Sequence, residues 1–392
     1  MAVKIVRQPK KIALIGAPSS AAGFMPGSEK APAALRAAGL VERLQSAGFE
    51  VVDHGDCAPR FFADDEEHRR ARNLPAIVAG LNDLKAKAEL AVKSGALVVV
   101  IGGDCAQTIG LLAAARRYHK HLNLVWFDRD ADLNTPATTP SGRIDGMVTA
   151  HIIGKGAPEL VRFWGEPPLV REPDVTLFGL ERVDPPERDF LTRSPMRHAY
   201  AADIRLKGAA KSAVDELAHM HADAREFLLH LDTDVIANED FSAVNVPDSS
   251  GGLSFRDTRA ALSEFFRHKN LLGFDVAQYN PEKDPDGSAA KKLVNLIIDA
   301  LSARLESSEG ATSPTHSAAD QTPAAQALPK SDEHLPAAQT PPEEIASSQP
   351  PAAENSAPET SAPETSAQDS AASTSETNAD QPASKSSSTE SA

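Results

Sequence analysis

Short apolar runs separated by stretches of helical period constrain this chain of 392 residues more than any other feature. The runs lie at residues 12–15, 51–52, 97–101, 122–127, 175–178, 227–231 and 271–276. Runs this short and this apolar read as strands buried on both faces. Between them, residues 31–47, 75–94 and 213–222 repeat apolar residues at helical spacing, and residues 289–305 form a closing helix. Pro75 suits a first helical position, where its missing N–H costs nothing. Strands alternating with helices imply βαβ units, hence a three-layer α/β/α domain with a mainly parallel central sheet. Ligands of such sheets bind beyond the carboxyl ends of the strands.

Composition divides the chain at residue 306. From residue 307 onward it is Ser, Ala, Pro, Thr and Glu without an aromatic residue, and Ser-Ala-Pro-Glu-Thr occurs twice in succession. From Glu309 on there are 13 acidic and 2 basic residues, so the tail carries most of the formal charge of −15. Such a segment buries too little apolar surface to offset its ordering entropy, and residues 307–392 are expected to be disordered. Residues 1–306 are expected to be the folded domain. The acidity argues against nucleic acid, which needs a basic footprint. No apolar run is long enough to span a membrane, and the basic start lacks the core of a signal peptide. Two cysteines, Cys57 and Cys105, make no disulfide framework and suit a cytoplasmic protein.

Residues 126–134 read Trp-Phe-Asp-Arg-Asp-Ala-Asp-Leu-Asn, with Asp128, Asp130 and Asp132 at alternate positions after an apolar run. On an extended segment a period of two sends all three carboxylates to one side. Like charges that close resist ionising unless a cation sits between them. Asp232 and Asp234, in Leu-His-Leu-Asp-Thr-Asp, repeat the pattern. One such run reads as a solvated turn start; two, each ending an apolar run, call for metal.

Several segments, in order, resemble the arginase/agmatinase (ureohydrolase) family over roughly residues 12–306. Ile15-Gly16-Ala17-Pro18 and residues 31–40 resemble its amino-terminal strand and helix, and Ile101-Gly102-Gly103-Asp104 its Gly-Gly-Asp-His turn. Residues 126–146 resemble its Asp-Ala-His-x-Asp segment and substrate loop. Residues 231–253 resemble its Asp-x-Asp segment running into Gly-Gly-Leu, and residues 274–281 the segment ending in Asn-Pro. The resemblance implies an arginase-like fold, a homo-oligomer (trimer or hexamer), and two Mn²⁺ ions roughly 3.5–4 Å apart that activate water. Asp128, Asp132, Asp232 and Asp234 fall on the four aspartate ligand positions. Cys105 and Asp130 fall where the family has histidine ligands. Asp145 replaces a histidine credited with proton transfer, and Gln278 a glutamate that grips the guanidinium. At the other end of the pocket Asn134, Thr139 and Ser141 match the loop holding the substrate α-carboxylate. Asp184 and Glu187 match the acidic residues near its α-amino group. The same Asn-Thr-Pro and Asp-Pro-Pro stretches are also ordinary turn formers.

Four aspartates and two neutral histidines balance two divalent cations, whereas five aspartates and a thiolate leave surplus negative charge. Arg129 and Arg143 are candidates to offset it, with a solvated or intersubunit place the simpler reading for Arg129. A thiolate at Cys105 favours zinc or iron over manganese, so the centre is expected to hold two ions, one, or none. Cys105 also reads as a small buried thiol or, less readily, as a nucleophile. His230 shares a face with Asp232, as a replacement imidazole or, more simply, a packed and hydrogen-bonded side chain. Two functions follow from the resemblance. One is a metal-dependent hydrolase acting on a linear C–N bond of an arginine-like guanidino or amidino compound, with a remodelled metal site. The other is a catalytically degenerate relative that binds such a ligand, or a protein partner, without turnover.

Overall fold

A computed structural model of the chain describes residues 5–247 and 251–310. Of residues 307–392, expected as a disordered tail, only the end of the helix Ser288–Gly310 is described; the rest of that expectation lies outside the described residues. Eight strands, β1 (Lys11–Ala17), β2 (Glu50–Asp56), β3 (Leu97–Gly102), β4 (Asn123–Phe127), β5 (Val175–Leu180), β6 (Arg197–Tyr200), β7 (Phe227–Asp232) and β8 (Leu271–Ala277), form one sheet. Their order is β2-β1-β3-β8-β7-β4-β5-β6, and every pairing is parallel. All the apolar runs read from the sequence are strands. The edge strand β6 escapes such a reading because its Arg-His-Ala-Tyr lacks an apolar run.

Alternation along the strands builds a core on each face. Leu97, Val99 and Ile101 of β3 point into one layer and Val98 and Val100 into the other. The first layer is covered by the helices Ala31–Ala37, Leu40–Ser46, Phe255–Arg267 and Ser288–Gly310. The second is covered by the helices Leu74–Lys93 and Gln107–Arg116. The stretch at 31–47 is two helices rather than one, because Gly39 takes a left-handed φ of 84° between them. Pro75 sits one residue inside its helix, which begins at Leu74. Among the described residues no helix is long and apolar enough to cross a membrane.

The turn after β3 is fixed by Gly103. A Cβ there would lie 2.3 Å from the carbonyl oxygen of Ser19 and 2.6 Å from that of Ala17. These are backbone atoms leaving β1, so neither neighbour can rotate away. Gly103→Ala should cost about 3 kcal/mol of stability, at the upper end of ordinary overpacking. A urea midpoint equal to that of the unsubstituted protein would contradict this close approach.

Candidate metal centre

The four central strands β3, β8, β7 and β4 end side by side, and each delivers polar groups to the same place. Cys105 follows β3, Asp128 follows β4, Asp232 ends β7 and Gln278 follows β8. Their placement is local chemistry. Asp128 Oδ1 accepts a hydrogen bond from the Asp130 N–H at 2.8 Å, and Asp232 Oδ1 from the Asp234 N–H at 2.7 Å. Both are Asp-initiated turns that bend the chain as its strand ends. The extended alternation expected for Asp128, Asp130 and Asp132 therefore stops at Phe127, and Asp132 has a positive φ of 50°.

Two groups of potential ligands result. Cys105, Asp128, His230 and Asp232 present atoms all within 4.8 Å of one another, as do Asp128, Asp130 and Asp234. Asp132 joins neither group but lines the same pocket. Of the metal, catalytic and substrate-binding candidates read from the sequence, all except Asp234 line that pocket; Asp234 is buried, and His230, Arg129 and Arg143 also lie off the lining. Burial pushes the carboxyls of Asp128, Asp132 and Asp232 well above the usual range, and neighbouring carboxylates add to it. Asp130 rises to about 6 through burial and Asp234, against the pull of Arg182. Burial and Asp145 likewise push the Cys105 thiol far up, so without metal it is a neutral donor. Its S–H donates to Asp232 Oδ2 at 3.1 Å, which leaves no thiolate nucleophile.

Asp145 and Gln278, the two positions that the resemblance marks as catalytic, meet each other. Gln278 Nε2 donates to Asp145 Oδ2 and, at 3.3 Å, to Cys105 Sγ, while Asp145 Oδ1 accepts from the Cys105 N–H at 2.9 Å. Burial and Asp104 push Asp145 up to about 7. Gln278 Oε1 stays buried without a hydrogen-bond partner. At the far end, Asp184 and Glu187 form the capping box of the helix Pro185–Leu191. Both Glu187 oxygens accept backbone N–H groups, from Leu133 and Asp184, each at 2.8 Å. Asn134 Nδ2 donates to Asp184 Oδ2 at 2.8 Å. Thr139 Oγ1 accepts from the Gly142 N–H at 3.0 Å, and Ser141 Oγ from the Arg143 N–H at 3.1 Å. The turn-forming role of these residues is thus visible in their hydrogen bonds.

Two expectations about cations need correction. Arg143 turns away from the cluster, donating to the Ala63 carbonyl at 2.9 Å and stacking over Phe62. Arg129 is neither solvated nor placed on an outer surface: it is fully buried, 3.6 Å from Asp234 Oδ2. Arg129 thus stands where it can offset the cluster's charge, and a second cation there, Arg182, is one that sequence reasoning missed. Arg182 Nε donates to Asp130 Oδ1 at 2.8 Å, and its Nη2 donates to Asp130 Oδ2 and, at 2.7 Å, to Asp234 Oδ2. Burial lowers the pKa of Arg182, but Asp234 and Asp130 raise it further, so the net shift is upward. Asp275 was also missed, although a carboxylate inside the apolar strand β8 signals a buried partner. That partner is His230, whose Nδ1 lies 2.7 Å from Asp275 Oδ1.

Known proteins share this architecture. A model of the "Arginase family" matches residues 10–302. An arginase of Bacillus subtilis (strain 168) is 30% identical over 298 residues, covering 76% of this chain and 99% of that protein. Arginase-1 of Rattus norvegicus is 30% identical over 295 residues, 74% of this chain and 91% of the rat protein. The crystal structure of an arginase from Bacillus caldovelox superposes with a TM-score of 0.68 at 26% identity, over 74% of this chain and 98% of that one. With a parallel sheet ending in an acidic pocket and a family match over residues 10–302, the chain belongs to the arginase family.

Proposed function

We propose that the chain is a metal-dependent hydrolase acting on a linear C–N bond of an arginine-like guanidino or amidino compound, through a remodelled metal site. The observation that carries this reading is the floor of the pocket. Asp128 Oδ2 is buried there without a hydrogen-bond partner, as is Nε2 of His230, which lies off the pocket lining but within the ligand group of Cys105, Asp128 and Asp232, beside carboxylates that repel one another. Buried acceptors left unpaired are costly, and a divalent cation satisfies them. The chemistry that such an ion supplies when bound is Lewis-acid activation of water or substrate.

The chain's own groups supply the rest. The pocket carries more carboxylates than cations, which favours a cationic ligand. Gln278 Oε1 is oriented by the two hydrogen bonds of its Nε2 and can accept an N–H from an amidine or guanidine. Asp145 lines the pocket and, pushed up to about 7, can hold or release a proton near neutral pH. The same reading includes a homo-oligomer in the cytoplasm, which two free cysteines suit.

One observation favours the second reading, a ligand-binding relative without turnover: Asp145 and Gln278 are hydrogen-bonded to each other. Urea and ammonia release from metal-loaded protein over L-arginine, agmatine and a panel of amidines separates the two. Hydrolysis of at least one compound is the expected result. A thermal shift by L-arginine with no product from any compound would replace the first reading with the second.

A further inference from the structure

The notional pair of metal positions is not symmetric. In the first group, Asp128 and Asp232 are joined by a thiol and by the imidazole of His230, which is fully buried. One ring nitrogen of His230, Nδ1, faces Asp275 Oδ1 at 2.7 Å and Thr108 Oγ1 at 3.0 Å. The ring also stacks on Trp126, with centroids 3.7 Å apart and planes 17° from parallel. A carboxylate beside Nδ1 fixes the tautomer that leaves Nε2 as a lone pair, and Nε2 has no partner. This carboxylate–histidine arrangement is the usual outer support of a ligating imidazole. In the second group the space between Asp130 and Asp234 already contains a cation. The Arg182 guanidinium donates to both, and the backbone holds it there: Asp130 and Arg182 form a bridge, and the Arg182 N–H donates to the Arg129 carbonyl at 3.0 Å. A divalent ion on the same two carboxylates would stand within a few ångströms of that guanidinium and be repelled by it.

We propose that the centre is mononuclear: one zinc-type ion on Cys105 Sγ, His230 Nε2, Asp128 and Asp232, with Arg182 permanently in place of a second ion between Asp130 and Asp234. Four ligands of thiolate, imidazole and carboxylate type suit tetrahedral Zn²⁺ better than Mn²⁺, which prefers oxygen donors. The inference deepens the metal-dependent reading and rests on it, but its signature is the metal itself rather than turnover.

The test uses the full chain, purified without chelator and analysed for metal, then stripped and reloaded with Co²⁺. One ion per chain is expected, with Zn²⁺ outcompeting Mn²⁺. The Co²⁺ form should show a thiolate-to-cobalt charge-transfer band that disappears in Cys105→Ser. Asp275→Asn, which touches no metal, should weaken Co²⁺ binding by roughly 10–100-fold, the usual cost of losing a ligand's outer partner. Arg182→Ala should raise the count from one ion to two. Thermal melts of the stripped variants identify any that fail to fold, and Asp275→Asn then carries the first half of the test in place of Cys105→Ser. Two ions in the unsubstituted protein, none, or a cobalt spectrum without the thiolate band would each overturn the assignment. A count that stays at one in Arg182→Ala would overturn the role given to Arg182. A one-zinc protein inert toward every guanidino compound would uphold the centre and remove only the hydrolase reading.

Discussion

Asp128→Asn is expected to abolish metal binding and at the same time to stabilise the metal-free protein. Asparagine keeps the oxygen that accepts the Asp130 N–H, so the turn after β4 survives. It removes one of the buried carboxyls whose ionisation burial, Asp232 and Asp234 oppose. Relief of that penalty should raise the stability of the stripped protein by on the order of 1 kcal/mol, because a tenfold change in proton affinity is worth about 1.4 kcal/mol. Metal affinity should fall by more than roughly 100-fold, since even the loss of a ligand's outer partner costs 10–100-fold. Calorimetry in chelator, paired with metal titration, reads both effects. A stripped variant that melts below the parent protein would refute the electrostatic account of the cluster.

The second large effect concerns restoration. Cys105→His, Asp130→His, Asp145→His and Gln278→Glu return the residues that the resemblance implies, yet this fourfold variant should not rebuild a two-metal centre. A histidine at 105 must place its ring where the His230 imidazole already stands within 4.8 Å of the Cys105 sulfur. Such overpacking costs about 1–3 kcal/mol. Arg182 would also still lie against Asp234. Adding His230→Ser and Arg182→Ala clears both obstacles. The sixfold variant should bind two ions and release urea from L-arginine at least about 100-fold faster than the fourfold one, the lower end of what a positioned acid–base group contributes. Metal counts and urea assays on both decide it; equal rates would show that neither side chain obstructs the site.

The sheet was legible because six of its strands are apolar and largely buried on both faces, whereas the edge strands β2 and β6 are partly exposed and β6 carries no apolar run. Boundaries were less so: Gly39 breaks a helix that periodicity alone runs through. At the site, the positions were readable from motif order, but the states of the side chains were not. Glu187 could be assigned to the pocket, whereas its two backbone N–H partners depend on how the loop at Leu133 returns beside the helix Pro185–Leu191. Arg182 carries a signal in the sequence, a cation in a chain whose acidic segments need one. Its destination depends on β5 lying next to β4, which only the fold reveals. A ligand role for His230 is hard to read from sequence because its carboxylate partner lies 45 residues away.

The arginine in the centre has a consequence for how the protein meets its surroundings. A metal ion arrives by diffusion and can be withdrawn by a chelator, by competition or by scarcity. Arg182 arrives with the chain, at an effective concentration set by the fold and indifferent to the medium. Half of the acidic cluster is therefore neutralised as soon as β4 and β5 pair, before any ion is available. In the proposed one-ion centre only the half around Cys105 and His230 would remain answerable to supply, and the protein would read metal availability at a single position.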